Sequence, residues 1–130
     1  MPSTCPFCAP ASSRIYLEND AALAIPDAFP VAEGHTLVVP RQHVASLFDL
    51  PAEEQAAVWK LVAQVRTKLW CDLNPDGFNI GVNDGTAAGQ TVPDAHVHVI
   101  PRRKGDSPDP RGGIRWIVPE KANYWCEGRR

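Results

Sequence analysis

Residues 94–102, Asp-Ala-His-Val-His-Val-Ile-Pro-Arg, place two of the four histidines two positions apart within an alternating apolar run. In a strand, residues i and i+2 share a face. The imidazoles of His96 and His98 then point one way with Asp94 beside them, while Ala95, Val97 and Val99 point the other. Two adjacent imidazoles on one face suit a site that handles a phosphate. A neutral imidazole is a nucleophile near pH 7, and a neighbouring donor stabilises the charge that builds on phosphate oxygens. The same spacing also serves a metal pair or a hydrogen-bonded surface pair.

The frame that must position these groups is a single domain of 130 residues, with an irregular tail expected from about 103. A hydrophobic content of 44% and a net charge of -2 fit an ordinary globular protein and argue against nonspecific nucleic-acid binding. No apolar run reaches the ~20 residues needed to cross a bilayer, and the N-terminus lacks the pattern of a signal peptide. Four cysteines, Cys5, Cys8, Cys71 and Cys126, could close two disulfides. Nothing else points to an oxidising compartment, so the expected location is cytoplasmic and Cys5-x-x-Cys8 reads as a metal or redox pair. A redox pair should open a helix in a βαβ unit, which this one does not. Cys71 and Cys126 read as plain thiols.

Short strands are predicted over 14–18 and 21–25, around the polar turn Asn19-Asp20, and over 36–39. Val58, Leu61, Val62, Val65 and Leu69 recur at helical spacing, and Pro51 followed by Glu53 and Glu54 marks a helix start. This predicts a long helix over 51–71. A turn at 74–77 leads to a strand over 78–83, then to a glycine-rich loop over 84–90 and the histidine strand. The expected class is α+β, with an antiparallel sheet of about five strands and one long helix across it.

Gly89-Gln90-Thr91-Val92-x-x-x-His96-x-His98-Val99-Ile100-Pro101-Arg102 resembles the signature strand of the histidine triad family of nucleotide hydrolases and transferases. Gly34-His35-Thr36-Leu37-Val38-Val39-Pro40-x-x-His43 is similar to the family's second conserved strand, and Phe78-Asn79-Ile80-Gly81-x-Asn83 to the strand before the loop. The resemblance implies a histidine triad-like fold. It also implies that His96 attacks the α-phosphorus of a nucleotide to form a nucleotidyl-histidine, and that His98 contacts phosphate oxygens. By the same resemblance Gly89, Gln90 and Thr91 supply donors near the phosphates and leaving group. Asp27 would accept from ribose hydroxyls, Asn83 would touch ribose or phosphate, and His35 would line the pocket. Read without the family, Asp27 is a turn residue between prolines and His35 ties down a strand junction.

Asp94 stands where the family carries its first triad histidine. Relatives with an N-terminal Cys-x-x-Cys hold a structural zinc on the cysteines, a downstream histidine and that first histidine. The corresponding residues are Cys5, Cys8, His43 and Asp94, all legitimate zinc ligands. The alternative is that Asp94 hydrogen-bonds His43 or backbone and no metal binds. The resemblance implies hydrolysis or nucleotidyl transfer on dinucleoside polyphosphates or nucleoside phosphoramidates, with a purine base. It also implies a homodimer formed through the long helix and an edge strand; the tail aromatics Trp116, Tyr124 and Trp125 are expected to be exposed and available to such an interface. The rival reading is a nucleotide-binding or adaptor module of the same fold with little turnover, and Asp94 is the feature that favours it. Arg102, Arg103, Lys104, Arg111, Arg129 and Arg130 read as a solvated face.

Overall fold

A computed structural model describes residues 14–125. Five antiparallel strands form one sheet: β1 (Leu17–Glu18), β2 (Ala22–Pro26), β3 (Thr36–Pro40), β4 (Gly77–Gly81) and β5 (Val97–Arg102). Their spatial order is β1-β2-β3-β5-β4, with helix α1 (Ala52–Leu73) between β3 and β4 in the chain. The expected α+β class, strand number and single long helix are all present. No helix among the described residues is long and apolar enough to cross a membrane.

Alternation along each strand divides the sheet into two faces. Ala22, Ala24, Val38, Val97 and Val99 face α1 and pack with Val58, Leu61, Val62, Val65 and Leu69, the helical stripe read from the sequence. Leu23, Ile25, Leu37 and Val39 form a second apolar cluster, with Ile15 packed against it. Leu37 pairs with His98 in the β3–β5 ladder, which puts the His98 side chain on the face away from α1.

The helix starts with Pro51 as its cap and ends at Leu73, two residues later than expected. Asn74, at φ 47, takes the left-handed turn that stops it, a conformation asparagine tolerates better than most residues. The first strand shrinks to two residues because Asn19 Oδ1 accepts both the Ala21 and Ala22 N–H groups at 2.9 Å. That local turn competes with a longer ladder. The strand expected over 78–83 begins at Gly77 and ends at Gly81, and the following loop holds a 3₁₀ turn over Thr86–Ala88.

Two differences bear on the site. Regular pairing in the histidine strand starts only at Val97, because the Ala95 N–H donates to Val44 O at 2.8 Å instead of joining the ladder. The tail is more ordered than its proline and glycine content suggested: a 3₁₀ turn covers Gly113–Ile117, and a short helix, α2 (Pro119–Ala122), follows. Arg115 donates to Ala122 O at 3.0 Å and Lys121 O at 2.7 Å, and Trp116 Nε1 donates to Arg111 O at 2.7 Å. Arg102 and Arg111 are not merely solvated, since they pair with Asp106 and Asp109. Arg129, Arg130 and Cys126 lie outside the described residues.

Candidate active site

His96 immediately precedes β5 and is almost fully buried; His98 is half-buried on the strand itself. Their ring centroids lie 4.9 Å apart, so the shared face expected from i, i+2 spacing is what the fold delivers. His96 Nδ1 is 2.8 Å from the main-chain oxygen of Asp94. A carbonyl can only accept, so the proton sits on Nδ1 and the ring's lone pair on Nε2.

A second chain of contacts sets the state of His98. The Val31 N–H donates to His35 Nδ1 at 3.1 Å, and because a backbone N–H is always a donor, the neutral His35 ring carries its proton on Nε2. That Nε2–H lies 2.9 Å from His98 Nδ1 and 3.2 Å from Asp27 Oδ2, shared between an imidazole acceptor and a carboxylate. His98 then accepts at Nδ1 and carries its own proton on Nε2, as a donor. Burial, the largest influence, pushes both rings below the ordinary histidine value; His96 and His35 lower His98 further, while Asp27 pulls both upward. His35 and His98 are therefore neutral at pH 7, the form this hydrogen-bond pattern requires.

Asp27 follows Pro26 at the end of β2, where Oδ1 accepts the Phe29 N–H at 2.8 Å. The carboxylate thus closes a turn, as the family-free reading had it, and also faces His35. Asp27, His35 and His98 have ligand atoms within 4.8 Å of one another, close enough to hold a metal ion.

The loop ahead of β5 holds Gly89, Gln90 and Thr91. Gly89, at φ 98, occupies a conformation open to glycine. Gln90 Nε2 donates to Ala45 O at 2.9 Å and Val92 O at 3.1 Å, and its Oε1 accepts the Gly85 N–H at 2.8 Å. Its side chain fastens the loop in this conformation, while Thr91 is exposed. Asn83 is exposed and lines a groove of about 1160 Å³ together with His35 and His98.

Of the four residues expected to bind zinc, His43 and Asp94 meet: Nδ1 and Oδ1 are 2.8 Å apart, with the Asp94 side chain buried and the His43 side chain half-exposed. Cys5 and Cys8 lie outside the described residues.

Sequence reasoning missed the proton-directing link from Val31 through His35 to His98, because it depends on a backbone N–H from a loop. It also missed Arg102, which spans Asn79 Oδ1 at 2.6 Å and Asp106 at 2.7 Å. The alternation Asn79, Gly81, Asn83 was a readable signal that those residues share a face.

A model of the HIT domain family matches residues 10–105. An uncharacterized HIT-like protein of Mycoplasma genitalium is 40% identical over 104 residues, covering 77% of this chain and 74% of that protein. The asymmetrical bis(5'-nucleosyl)-tetraphosphatase of Schizosaccharomyces pombe is 36% identical over 97 residues, covering 75% of this chain. The chain spans only 53% of that enzyme's length. Among solved structures, a zinc-bound histidine triad family protein of Mycobacterium smegmatis superposes with a TM-score of 0.70 at 39% identity, covering 88% of this chain and 90% of that one.

Proposed function

Because this chain belongs to the HIT domain family, we propose that it is a nucleotide hydrolase or nucleotidyl transferase acting at the α-phosphorus through His96. Its substrates are dinucleoside polyphosphates or nucleoside phosphoramidates. The observation that carries the reading is the Asp94 carbonyl on His96 Nδ1 at 2.8 Å, which puts the ring's electron pair on Nε2. Beside it stands His98, whose Nε2–H is aligned as a donor by His35.

In the first step Nε2 attacks phosphorus, a P–N bond forms, and the bond to the leaving group breaks with its electron pair going to that group. The proton stays on Nδ1, donated to the Asp94 carbonyl throughout, and that carbonyl offsets the positive charge that grows on the ring. His98 donates to a non-bridging oxygen as charge develops there. Asp27 accepts from the ribose hydroxyls, Asn83 touches ribose or phosphate, and backbone from Gly89 to Thr91 faces the phosphates. Water or another acceptor then attacks phosphorus, the P–N bond breaks with its electron pair returning to Nε2, and the proton the acceptor loses passes to solvent. The fission yeast relative, a tetraphosphatase by name, supports the substrate class.

A structural zinc on Cys5, Cys8, His43 and Asp94 belongs to the same proposal. The donor set fits: the buried Asp94 carboxylate and His43 Nδ1 stand 2.8 Å apart, and carboxylate, imidazole and thiolate are all zinc ligands. The zinc-bound relative is consistent with it. Such an ion would fix the segment leading into His96 and takes no part in the displacement. We further read the protein as a homodimer.

The test is to trap the intermediate. Wild-type protein quenched during turnover of adenosine 5'-phosphoramidate should carry an acid-labile nucleotidyl adduct on His96, absent from His96→Ala. Equal turnover by the two proteins would refute the reading. Nucleotide binding with neither turnover nor adduct would identify the binding module instead.

A further inference from the structure

Resting on that functional reading, we propose that Gln90 is a positioning residue. Its side chain ties the phosphate-facing loop to the segment that holds the nucleophile, and it gives no hydrogen bond to the substrate. The loop has little else to fix it. Residues 83–89 are all exposed, so no burial offsets the entropy of ordering their backbone. Main-chain bonds close the turn, from Gly89 N–H to Thr86 O at 3.0 Å and from Gln90 N–H to Gly85 O at 3.1 Å. The Gln90 side chain adds three more. Its Oε1 accepts the Gly85 N–H at 2.8 Å, and its Nε2 donates to Ala45 O at 2.9 Å and to Val92 O at 3.1 Å.

A carboxamide has two N–H groups, and here both go to carbonyls. Turning the amide over would set oxygen against two carbonyls and nitrogen against an N–H, so the partners fix its orientation. Neither donor is left for a phosphate. The resemblance placed this residue among the phosphate donors; its side chain serves the loop, and contact with the phosphates falls to the backbone.

The bond to Ala45 O reaches outside the loop, to the segment that also steadies His96. Three consecutive residues, His43, Val44 and Ala45, meet the stretch from Gln90 to Ala95. His43 Nδ1 lies 2.8 Å from Asp94 Oδ1, Val44 O accepts the Ala95 N–H at 2.8 Å, and Ala45 O accepts from Gln90. Val44 packs against the α1-side core, and Leu47, just beyond, is buried in it. Asp94 meets one end of this strap and supplies the carbonyl that fixes His96. Gln90 meets the other end and fixes the loop. The strap thus sets the spacing between the nucleophile and the donors that face the phosphate. Donors aligned beforehand stabilise charge on phosphate oxygens without reorganising during the reaction.

The experiment first reads the tie in the free protein. Amide exchange at Gly85, whose N–H goes to Gln90 Oε1, should be slowed in wild type and stay slowed in saturating adenosine monophosphate. Gln90→Met, similar in length but without the amide, should speed it about fivefold, as loss of one hydrogen bond does. Exchange at Ala95, protected by Val44 O, should not change. In turnover, Gln90→Met should lose about 10–100-fold in kcat, with KM within about threefold. The loss should be the same on diadenosine tetraphosphate and on adenosine 5'-phosphoramidate. Gln90→Asn, an amide on a shorter stem, should recover part of it, and takes over the same comparisons if Gln90→Met does not fold.

Unprotected Gly85 in free wild type, or exchange that quickens when adenosine monophosphate binds, overturns the proposal: the side chain is then absent from the loop or drawn off to the ligand. A loss confined to the tetraphosphate overturns it too, by making Gln90 a leaving-group contact. Exchange that quickens at Ala95 as much as at Gly85 replaces a local tie with general loosening, and overturns it likewise. Each of these leaves wild-type turnover through His96 intact. If wild type turns over neither substrate, the functional reading itself fails and the positioning role goes with it.

Discussion

The main-chain oxygen of Asp94, not its carboxylate, holds the His96 ring, accepting the Nδ1–H at 2.8 Å. The carboxylate turns instead to His43. Any side chain at position 94 offers the same carbonyl, so an aspartate there leaves the tautomer of His96 intact. Asp94→Asn should therefore keep kcat within about tenfold of wild type. His96→Ala, which deletes the proposed nucleophile, should lose on the order of 10³-fold or more, as removal of covalent nucleophiles does. Steady-state rates on a phosphoramidate check both, and a collapse in Asp94→Asn matching that of His96→Ala would contradict this division of labour.

In the proposed function His35 acts on the substrate through His98. Removing it leaves Nδ1 of His98 without the donor that fixes its tautomer. His35→Ala should lower kcat by about 10–100-fold, the usual effect of losing a partner that orients an active group, with a smaller change in KM. His35→Gln, which retains an N–H donor, should recover part of the loss. A fall in KM-dependent binding with kcat unchanged would assign His35 to ligand contact instead.

Acid should weaken the fold through the same two rings. Burial lowers the pKa of native His35 and His98, whereas in the unfolded chain they titrate near 6.5. Below that value the unfolded state binds more protons, so stability rises with pH across the window and is lost on acidification through it. Thermal melts should show a larger drop from pH 7.5 to pH 5 for wild type than for His35→Gln, which lacks one of the two groups. Equal drops would mean that His35 contributes nothing to the linkage.

Gly34 sits just before β3 at φ +87, where a Cβ would lie 2.6 Å from Leu73 Cδ1 and 3.1 Å from Leu69 Cδ2 and Pro101 Cγ. Gly34→Ala adds both a strained backbone and a clash with the end of α1. The expected cost is about 1–3 kcal/mol, seen as a Tm lower by roughly 5 °C or more. An unchanged melting temperature would mean that Leu73 yields at no cost.

Metal analysis decides the zinc proposal. Freshly purified protein should contain about one zinc per chain, reduced by Cys5→Ser and by Asp94→Ala alike. A content well below one that Cys5→Ser does not alter would leave the His43–Asp94 contact as an ordinary hydrogen bond.

The periodic parts of the sequence were readable because burial repeats with the geometry of the element. The α1 stripe from Val58 to Leu69 and the alternation Val97, Val99 against His98 are of this kind, and so was the pairing of His96 with His98 on one face. Boundaries were less legible where a group outside the ladder takes a backbone donor, as the Asn19 side chain does at β1 and the Val44 carbonyl does at Ala95. Contacts between residues far apart in sequence left no local trace. Val31 with His35 and His98, Arg102 with Asn79, and the Arg115 brace of the tail all depend on chain segments meeting in three dimensions.

His96 stands one residue outside the ladder that begins at Val97. On the proposed mechanism, a ring that gains and loses a bulky phosphorus substituent in each cycle would strain any strand that had to carry it in register. Placed just ahead of the first rung, it would shift by the small amounts bond formation demands while the paired strand keeps its ladder. The proposed chemistry would then fall to two places: His98 on the paired strand, and His96 on the unpaired residue before it.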